Sequence, residues 1–141
     1  MTPPEFPQPV SGPAYGRTFR ALATAMLLAV VAMAARATLN LPQDNAAAQG
    51  YWMLGVGMLA LVASYWVLIR STTTIDAAGI RQTGLTDKKV VWSEVHSARL
   101  FGPPFARRLM VRTANGRFRF FFGGSPDLLD AFARIAAAYR P

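Results

Sequence analysis

The amino-acid sequence predicts a membrane protein of the α+β class, in which a two-helix transmembrane hairpin precedes a small antiparallel β-sheet capped by a C-terminal α-helix. The first reason is composition, since 52% of the 141 residues are hydrophobic and only 16% are charged, against about 25% charged in a typical soluble chain. The second is an uncharged stretch over residues 51–69, and the third is a change to mostly alternating hydrophobicity after residue 70. We therefore expect a disordered Pro-rich tail over 1–16, the hairpin over 17–70 and a cytoplasmic domain over 71–141.

The composition also excludes several classes of protein. The chain has no cysteine, which excludes disulfides, thiolate metal sites and thiol nucleophiles. Its apolar fraction is far too high for an acidic or low-complexity disordered protein. The 15 Lys and Arg residues outnumber the 7 Asp and Glu residues, which gives a net charge of +8. These charges are concentrated outside the long apolar segments.

Residues 51–69 carry the stronger of two membrane signals. At about 1.5 Å per residue they span roughly 28 Å, close to the ~30 Å hydrocarbon core of a bilayer. Aromatic residues, which favour the headgroup layer, lie near both ends: Tyr51, Trp52, Tyr65 and Trp66. A buried helix of a soluble core is the alternative, but a chain of this length cannot easily surround a helix that is apolar on every face.

The earlier apolar run covers residues 21–35 and reaches spanning length only if the helix occupies about residues 18–39. Arg36 then lies in the last turn, where its side chain can reach the interface. A secretory signal peptide cleaved at Ala35-Arg36-Ala37 is the alternative. The five prolines before Arg17 are unusual for a signal peptide and are typical of a disordered tail.

The distribution of basic residues indicates an orientation. Arg17 and Arg20 precede the first helix and Arg70 follows the second, whereas residues 37–50 contain no basic residue and include Asp44. The positive-inside rule then places both termini in the cytoplasm.

Small residues recur at helix-packing spacing on both spans, where they allow close approach of backbones. We expect them to pack the hairpin against itself; self-association into a homo-oligomer, or docking to a larger membrane complex, is the functional alternative. The residues are Ala21, Ala25, Ala29 and Ala32 on the first span and Gly57, Ala60 and Ser64 on the second.

The domain is expected to contain short strands at residues 72–76, 80–83, 88–92 and 95–101, with a turn at Ser93-Glu94. The clearest local feature is the segment 108–122, in which Asn115-Gly116 favours a type I′ turn between two alternating strands. That turn pairs Thr113 with Phe118 and places the apolar face on residues 109, 111, 118, 120 and 122. The opposite face then carries four arginines, with Arg112 directly opposite Arg119.

The four arginines of this predicted face are candidates for contact with anionic lipid or with a partner: Arg108, Arg112, Arg117 and Arg119. Each basic residue near an anionic leaflet contributes about 1 kcal/mol to membrane binding. The alternative is a solvated face that satisfies the positive-inside bias. Nucleic acid is not favoured as a partner, since the sequence contains no recognisable nucleic-acid motif.

The C-terminal segment predicts a helix that starts at a capping Ser125, with Pro126 in the first turn and Asp127 complementing the helix dipole. Its apolar stripe is expected to pack on the phenylalanine-rich face of the sheet; the stripe comprises Leu128, Phe132, Ile135 and Tyr139. Gly123-Gly124-Ser125 is interpreted as a turn and cap rather than a phosphate loop, because it lacks the lysine and threonine of a P-loop.

The order of these elements resembles the bacterial pleckstrin-homology-like (PH-like) domains that follow a two-helix membrane hairpin. The resemblance covers about residues 71–140 and depends on Ile75, Gly79 and Ile80, on Trp92-Ser93-Glu94-Val95 and on Asn115-Gly116. It implies a strongly bent antiparallel sheet of six or seven short strands, partly or fully closed into a barrel, with the helix over one end. It also implies the bacterial inner membrane, and it assigns no catalytic residues.

Catalytic and metal-binding patterns are not evident. The seven acidic residues form no convincing acid-base or metal pair, and His96 lacks an orienting carboxylate despite Ser93 and Ser97 nearby. We therefore expect a non-enzymatic protein without cofactor, metal or small-molecule substrate. Its expected function is to present the cytoplasmic module for contact with protein or anionic lipid. A structural accessory subunit of a larger membrane complex is the alternative.

Overall fold

The structure, a computed structural model, describes residues 2–40, 45–104 and 106–140. Strand β1 (Val10–Pro13) is followed by helices α1 (Arg17–Asn40) and α2 (Asn45–Arg70) and by strands β2 (Thr72–Ile75), β3 (Gly79–Gln82) and β4 (Lys88–Val91). A 3-10 turn (Trp92–Glu94) then leads to strands β5 (Val95–Phe101), β6 (Arg108–Thr113) and β7 (Phe118–Phe122) and to helix α3 (Pro126–Ala138).

Helices α1 and α2 are both long and apolar enough to cross a membrane. Helix α1 has 24 residues, about 36 Å at 1.5 Å per residue, so it continues past Arg36 as a spanning length requires. None of its residues is buried within the protein, because it packs beside α2 rather than inside the domain.

Strand β1 precedes the helices and β2 follows them, yet the two strands are paired antiparallel, from Val10 opposite Ile75 to Pro13 opposite Thr72. Strand β1 lies at the edge of a four-stranded sheet with the order β1-β2-β3-β4, where a proline costs no ladder hydrogen bond. Phe6 is buried in the same core. This part of the Pro-rich tail thus differs from the disordered segment expected, because burial of its apolar side chains offsets the entropy cost of ordering it.

Strands β5, β6 and β7 form a second, three-stranded antiparallel sheet. Within the described residues the two sheets are not joined by a backbone ladder, so no closed barrel forms. Side chains bridge them instead: the Phe122 amide donates to Gln82 Oε1 at 3.1 Å, and Thr73 Oγ1 donates to the Phe122 carbonyl at 2.6 Å. Gln82 and Thr73 are both buried.

The turn between β6 and β7 differs from the predicted type I′ turn. Such a turn needs positive φ at both central residues, but only Gly116 has one, of +76°, and Asn115 does not. The Thr113 amide donates to the Arg117 carbonyl, and the Gly116 amide donates to the Thr113 carbonyl. The connection is therefore a three-residue loop in which the glycine forms a bulge.

The extra loop residue shifts the register by one, and this shift moves every side chain of β7 to the opposite face relative to β6. Arg112 lies opposite Phe118, so the predicted pairing of Arg112 with Arg119 is wrong. The predicted burial of Phe118 and Phe120 is wrong as well, because both are exposed and Phe121 is the fully buried phenylalanine of β7.

The connection between β2 and β3 explains two of the residues on which the PH-like resemblance depends. A Cβ on Gly79 would clash with the Val90 carbonyl oxygen, so the backbones approach too closely for a larger residue. The Trp92 indole nitrogen donates to the Asp76 carbonyl at 2.9 Å. The expected turn at Ser93-Glu94 is part of the 3-10 turn that begins with this buried tryptophan.

Helix α3 begins as predicted, since the Leu128 amide donates to Ser125 Oγ at 3.4 Å and Pro126 occupies the first turn. The predicted apolar stripe is buried over its whole length. The helix packs on β5, β1 and β6, so it covers the core between the two sheets. The other large, fully buried apolar members of this core are Ile75, Ile80, Val90, Leu109, Val111 and Phe121.

Candidate functional site

The outer face of the three-stranded sheet is the candidate interaction surface. Residues directly opposite each other on paired strands point to the same side of a sheet, so the register assigns nine side chains to this face. They form three rows across the sheet: Phe101, Arg108 and Phe122; Arg99, Met110 and Phe120; Ser97, Arg112 and Phe118. We call this surface the Phe-Arg face.

Aromatic and basic side chains are exposed together on the Phe-Arg face. Phe101 is 59% exposed and Phe118 is 55% exposed. The guanidinium carbon of Arg108 lies 5.8 Å from the Phe101 ring centroid, and that of Arg112 lies 5.8 Å from the Phe118 ring centroid. Nε of Arg108 is buried and has no hydrogen-bond partner among the described residues. An exposed patch that combines apolar rings with cations suits a partner with apolar and acidic groups.

Only two of the four predicted contact arginines belong to this surface. Arg108 and Arg112 lie on the Phe-Arg face, whereas Arg119 lies opposite Val111 on the other side of the sheet. Arg117 follows the loop residue Gly116, is exposed, and shares the side of Arg119 by strand alternation. The single four-arginine face predicted from the type I′ register is therefore not formed.

The Phe-Arg face runs away from the helices. Its first row adjoins α1, because the Phe122 ring lies 5.3 Å from the Tyr15 ring, which stacks on Phe19 at 4.9 Å. Burial raises the pKa of the Tyr15 phenol. Arg112 lies four residues along β6 from Arg108, which is about 13 Å at 3.3 Å per residue. The hairpin turn at residues 114–116 lies farther away still.

The base of the helix pair is tied directly to the four-stranded sheet. Three residues (14–16) connect β1 to α1, and Ser71 alone connects α2 to β2. The Ala14 amide donates to the Ser71 carbonyl at 3.0 Å, so the strand ladder continues to the helix ends. Arg20 donates to the Ile69 carbonyl at 2.9 Å, where the negative end of the α2 dipole favours a cation.

The two helices meet through larger residues than the sequence predicted. Thr24 Oγ1 and the Tyr65 hydroxyl are hydrogen-bonded at 2.6 Å, and Leu27, Leu54 and Met58 are half-buried. The small residues expected in this seam are all exposed: Ala21, Ala25, Ala29, Ala32, Gly57, Ala60 and Ser64. Spacing shows which residues share a helix face, but it does not show which face meets the neighbouring helix.

Potential metal ligands are not clustered in the described ranges. These residues contain no cluster of three or more His, Asp or Glu side chains that could hold a metal ion. His96 is exposed on β5, and the Arg81 guanidinium forms an exposed ion pair with Asp87 at 3.4 Å. The interaction surfaces are therefore the features from which a function can be argued.

Comparison of the chain with family models, with curated proteins and with solved structures gave no match.

Proposed function

We propose that the chain is a non-enzymatic integral protein of the bacterial inner membrane, which presents a cytoplasmic PH-like module for contact with a partner protein. The observation that carries the proposal is the antiparallel pairing of β1 with β2 across the helix pair. Two helices that both span a bilayer return the chain to its starting side, and the paired strands require that return. Both termini therefore share one side of the membrane.

The side of the membrane on which the domain lies is assigned from the distribution of basic residues. Arg17, Arg20 and Arg70 lie at the end of the helix pair next to the sheets, whereas the opposite end, residues 36–50, contains Asp44 and a single basic residue, Arg36. Basic residues are retained on the cytoplasmic side. The domain consequently faces the cytoplasm.

The PH-like assignment is supported by the arrangement of strands. Four strands and three strands form separate antiparallel sheets, and a C-terminal helix packs against the core between them. Six of these strands lie within residues 71–140, the range that the resemblance covers, and β1 lies before it. The first strand lies upstream of the helix pair, so the hairpin is an insertion between β1 and β2 rather than an appendage before the domain.

The Phe-Arg face is assigned to a protein rather than to the bilayer. Its rows lead away from the helices, and only the row of Phe101, Arg108 and Phe122 lies at the membrane end. Arg112 lies about 13 Å from Arg108 along β6, so we assign simultaneous contact with both halves of the face to a partner protein rather than to lipid. A partner with acidic and apolar side chains matches both halves of the face.

The orientation is tested by fusing alkaline phosphatase or a green fluorescent protein after Pro141. We expect the phosphatase fusion to be inactive and the fluorescent fusion to be bright, in a membrane fraction that is released only by detergent. Phosphatase activity, or recovery of the protein in the supernatant without detergent, contradicts the proposal.

The partner surface is tested by photo-crosslinking in cells from position 120 of the Phe-Arg face. We expect a discrete adduct that is lost when Arg112 and Phe118 are changed together to alanine. The matched control changes Arg117 and Arg119, which lie on the other side of the sheet, and is expected to leave the adduct intact. Equal loss in both variants contradicts the assignment.

A structural accessory subunit is the second candidate function, and the exposure of the small residues of α1 favours it. Ala21, Ala25 and Ala29 leave a face on which another helix can approach closely. Purification in mild detergent followed by mass spectrometry separates the two candidates. Stoichiometric membrane subunits are expected for the accessory role, whereas the independent module is expected to purify without them.

A further inference from the structure

A recess of about 240 Å³ lies where the helix pair meets the four-stranded sheet. One wall is the end of α2, with Ser64, Val67 and Leu68. The opposite wall is Leu85 of the β3–β4 loop and Lys88, the first residue of β4. The recess therefore has an apolar wall that belongs to a span and a basic side chain that belongs to the domain.

The position of the recess along the proposed span follows from the residues of α2 that line it. Ser64 lies six residues before Arg70, which is about 9 Å along the helix axis. Trp66, an aromatic residue of the kind that lies at the headgroup layer, is placed between them, and its ring centroid lies 4.2 Å from the Arg70 guanidinium. Leu85 lines the same recess as Ser64. The tip of the β3–β4 loop thus lies beside the last turns of α2, at the headgroup end of the proposed span.

The β3–β4 loop has the chemistry of a segment that enters this boundary. Leu85 is 85% exposed, and it is flanked by the small polar residues Gly84 and Thr86. Asp87, the acid of the loop, is paired with Arg81. Lys88 is half-buried, and its Nζ donates to the backbone carbonyl of Phe120 at 3.4 Å. A neutral lipid-facing leucine and an adjacent cation match an acyl chain and a phosphate.

We infer that this recess holds the headgroup of an anionic phospholipid, with the phosphate at Lys88 and the first part of an acyl chain between Leu85 and Leu68. The inference rests on the proposed membrane insertion of the helix pair. The connections over residues 14–16 and at Ser71 are too short to lift the domain from the bilayer, so lipid is the neighbour that the recess faces. The β3–β4 loop thereby seats the domain in a fixed orientation on the membrane.

The first test uses the full chain in nanodiscs of zwitterionic and anionic phospholipids. Because the chain has no cysteine, the single variants Leu85→Cys, Leu59→Cys and Asn115→Cys can each be labelled with one environment-sensitive fluorophore. We expect lipids with a nitroxide on the acyl chain to quench the probes at 59 and 85 and to leave the probe at 115, in the distal turn, unquenched. Quenching at 59 without quenching at 85 overturns the inference and leaves the proposed function intact. The absence of quenching at 59 overturns both.

The second test addresses the phosphate. Quenching of the probe at position 85 by brominated phosphatidylglycerol is compared with quenching by brominated phosphatidylcholine. We expect Lys88→Gln to reduce the preference for the anionic lipid roughly fivefold. The matched control is Lys89→Gln, because Lys89 is the next residue of β4 and points to the other side of the sheet. An equal reduction by both variants assigns the preference to net charge alone and overturns the site.

Discussion

The helix pair and the domain place their apolar side chains in opposite environments. In the domain, large apolar residues from both sheets and from α3 are fully buried against one another. In the helix pair the large apolar residues are mostly exposed, as shown by Leu22, Met33, Trp52 and Leu59. The domain therefore excludes water from its own core, whereas the helix pair leaves exposed an apolar surface that is long enough to cross a membrane.

The polar contacts of the two regions differ in the same way. In the domain, Thr73 and Gln82 are buried and bridge the two sheets at Phe122. In the helix pair, the hydrogen bonds of Arg20 and Thr24 lie near the end that adjoins the sheets. The helices are thus joined to the domain at their base, and at the opposite end the Tyr51 hydroxyl donates to the Thr38 carbonyl at 3.1 Å. The comparison teaches that the polar contacts of the helix pair join helix to helix or helix end to sheet, whereas those of the domain bridge two sheets across a buried core. Identical substitutions placed in both regions test this difference.

The largest expected difference is for leucine to alanine. Leu109 is 0% exposed and Leu59 is 72% exposed. We expect Leu109→Ala to lower the free energy of unfolding of the domain by about 2–5 kcal/mol, since it removes buried methyl groups and leaves a cavity. Leu59→Ala is expected to change that free energy by less than about 0.5 kcal/mol. Urea unfolding in mild detergent, followed by near-ultraviolet circular dichroism, measures both; similar losses would show that the domain core extends into the helix pair.

Glycine to alanine gives the second comparison. A Cβ at Gly79 meets the Val90 backbone, whereas a Cβ at Gly57 meets nothing within 4 Å. We expect Gly79→Ala to cost about 1–3 kcal/mol of domain stability through overpacking. Gly57→Ala is expected to leave the stability of the domain unchanged, because the added Cβ meets no neighbouring atom. Alanine is also the better helix former, so α2 itself is not weakened.

The Gly57 variant also sharpens the choice between the two proposed functions. If α2 packs against another helix at this position, Gly57→Ala blocks the approach of the backbones. Loss of co-purifying membrane subunits in this variant, with normal domain stability, then favours the accessory role. The measurements are the same urea titration and mass spectrometry of the detergent-purified protein. A destabilised domain would contradict the structural separation of the two regions.

The features predictable from sequence are those with a long-range pattern. The uncharged run, the extension of α1 past Arg36, and the capped helix from Ser125 with its buried stripe depend on length and periodicity. The strands were predictable only from β2 onward, because β1 lies in a Pro-rich segment that pairs with residues about sixty positions later, from Pro13 opposite Thr72 to Val10 opposite Ile75. A strand that pairs across an intervening helix pair leaves no local signal.

The faces of the β6–β7 hairpin were not predictable because they depend on a single loop residue. Asn115-Gly116 is compatible with a two-residue turn and with a three-residue loop, and alternating strands with phenylalanine at 118, 120, 121 and 122 can bury either set. The structure buries Phe121, which leaves Phe118 and Phe120 beside Arg112 on the outer face. The candidate surface is therefore defined by the register of the strands. The sequence contains its residues but does not show that they share one face.

The smallest expected difference is for threonine to valine, which removes one hydroxyl and preserves shape. Thr73 Oγ1 donates to the buried carbonyl of Phe122, and we expect Thr73→Val to cost about 1–3 kcal/mol, because the carbonyl loses its partner away from water. Thr24 bonds the Tyr65 hydroxyl between the helices, where such bonds average about 0.6 kcal/mol.

Two titrations and one additional variant measure these effects. Urea unfolding of the domain reports on Thr73→Val, and unfolding of the helices in sodium dodecyl sulfate, followed by far-ultraviolet circular dichroism, reports on Thr24→Val. Tyr65→Phe, alone and combined with Thr24→Val, completes a double-mutant cycle that isolates the bond. If Thr24→Val lowered domain stability as much as Thr73→Val, the base of the hairpin would form one cooperative unit with the sheets. Independence of the two titrations instead means that the helices can repack around a partner while the Phe-Arg face keeps its shape.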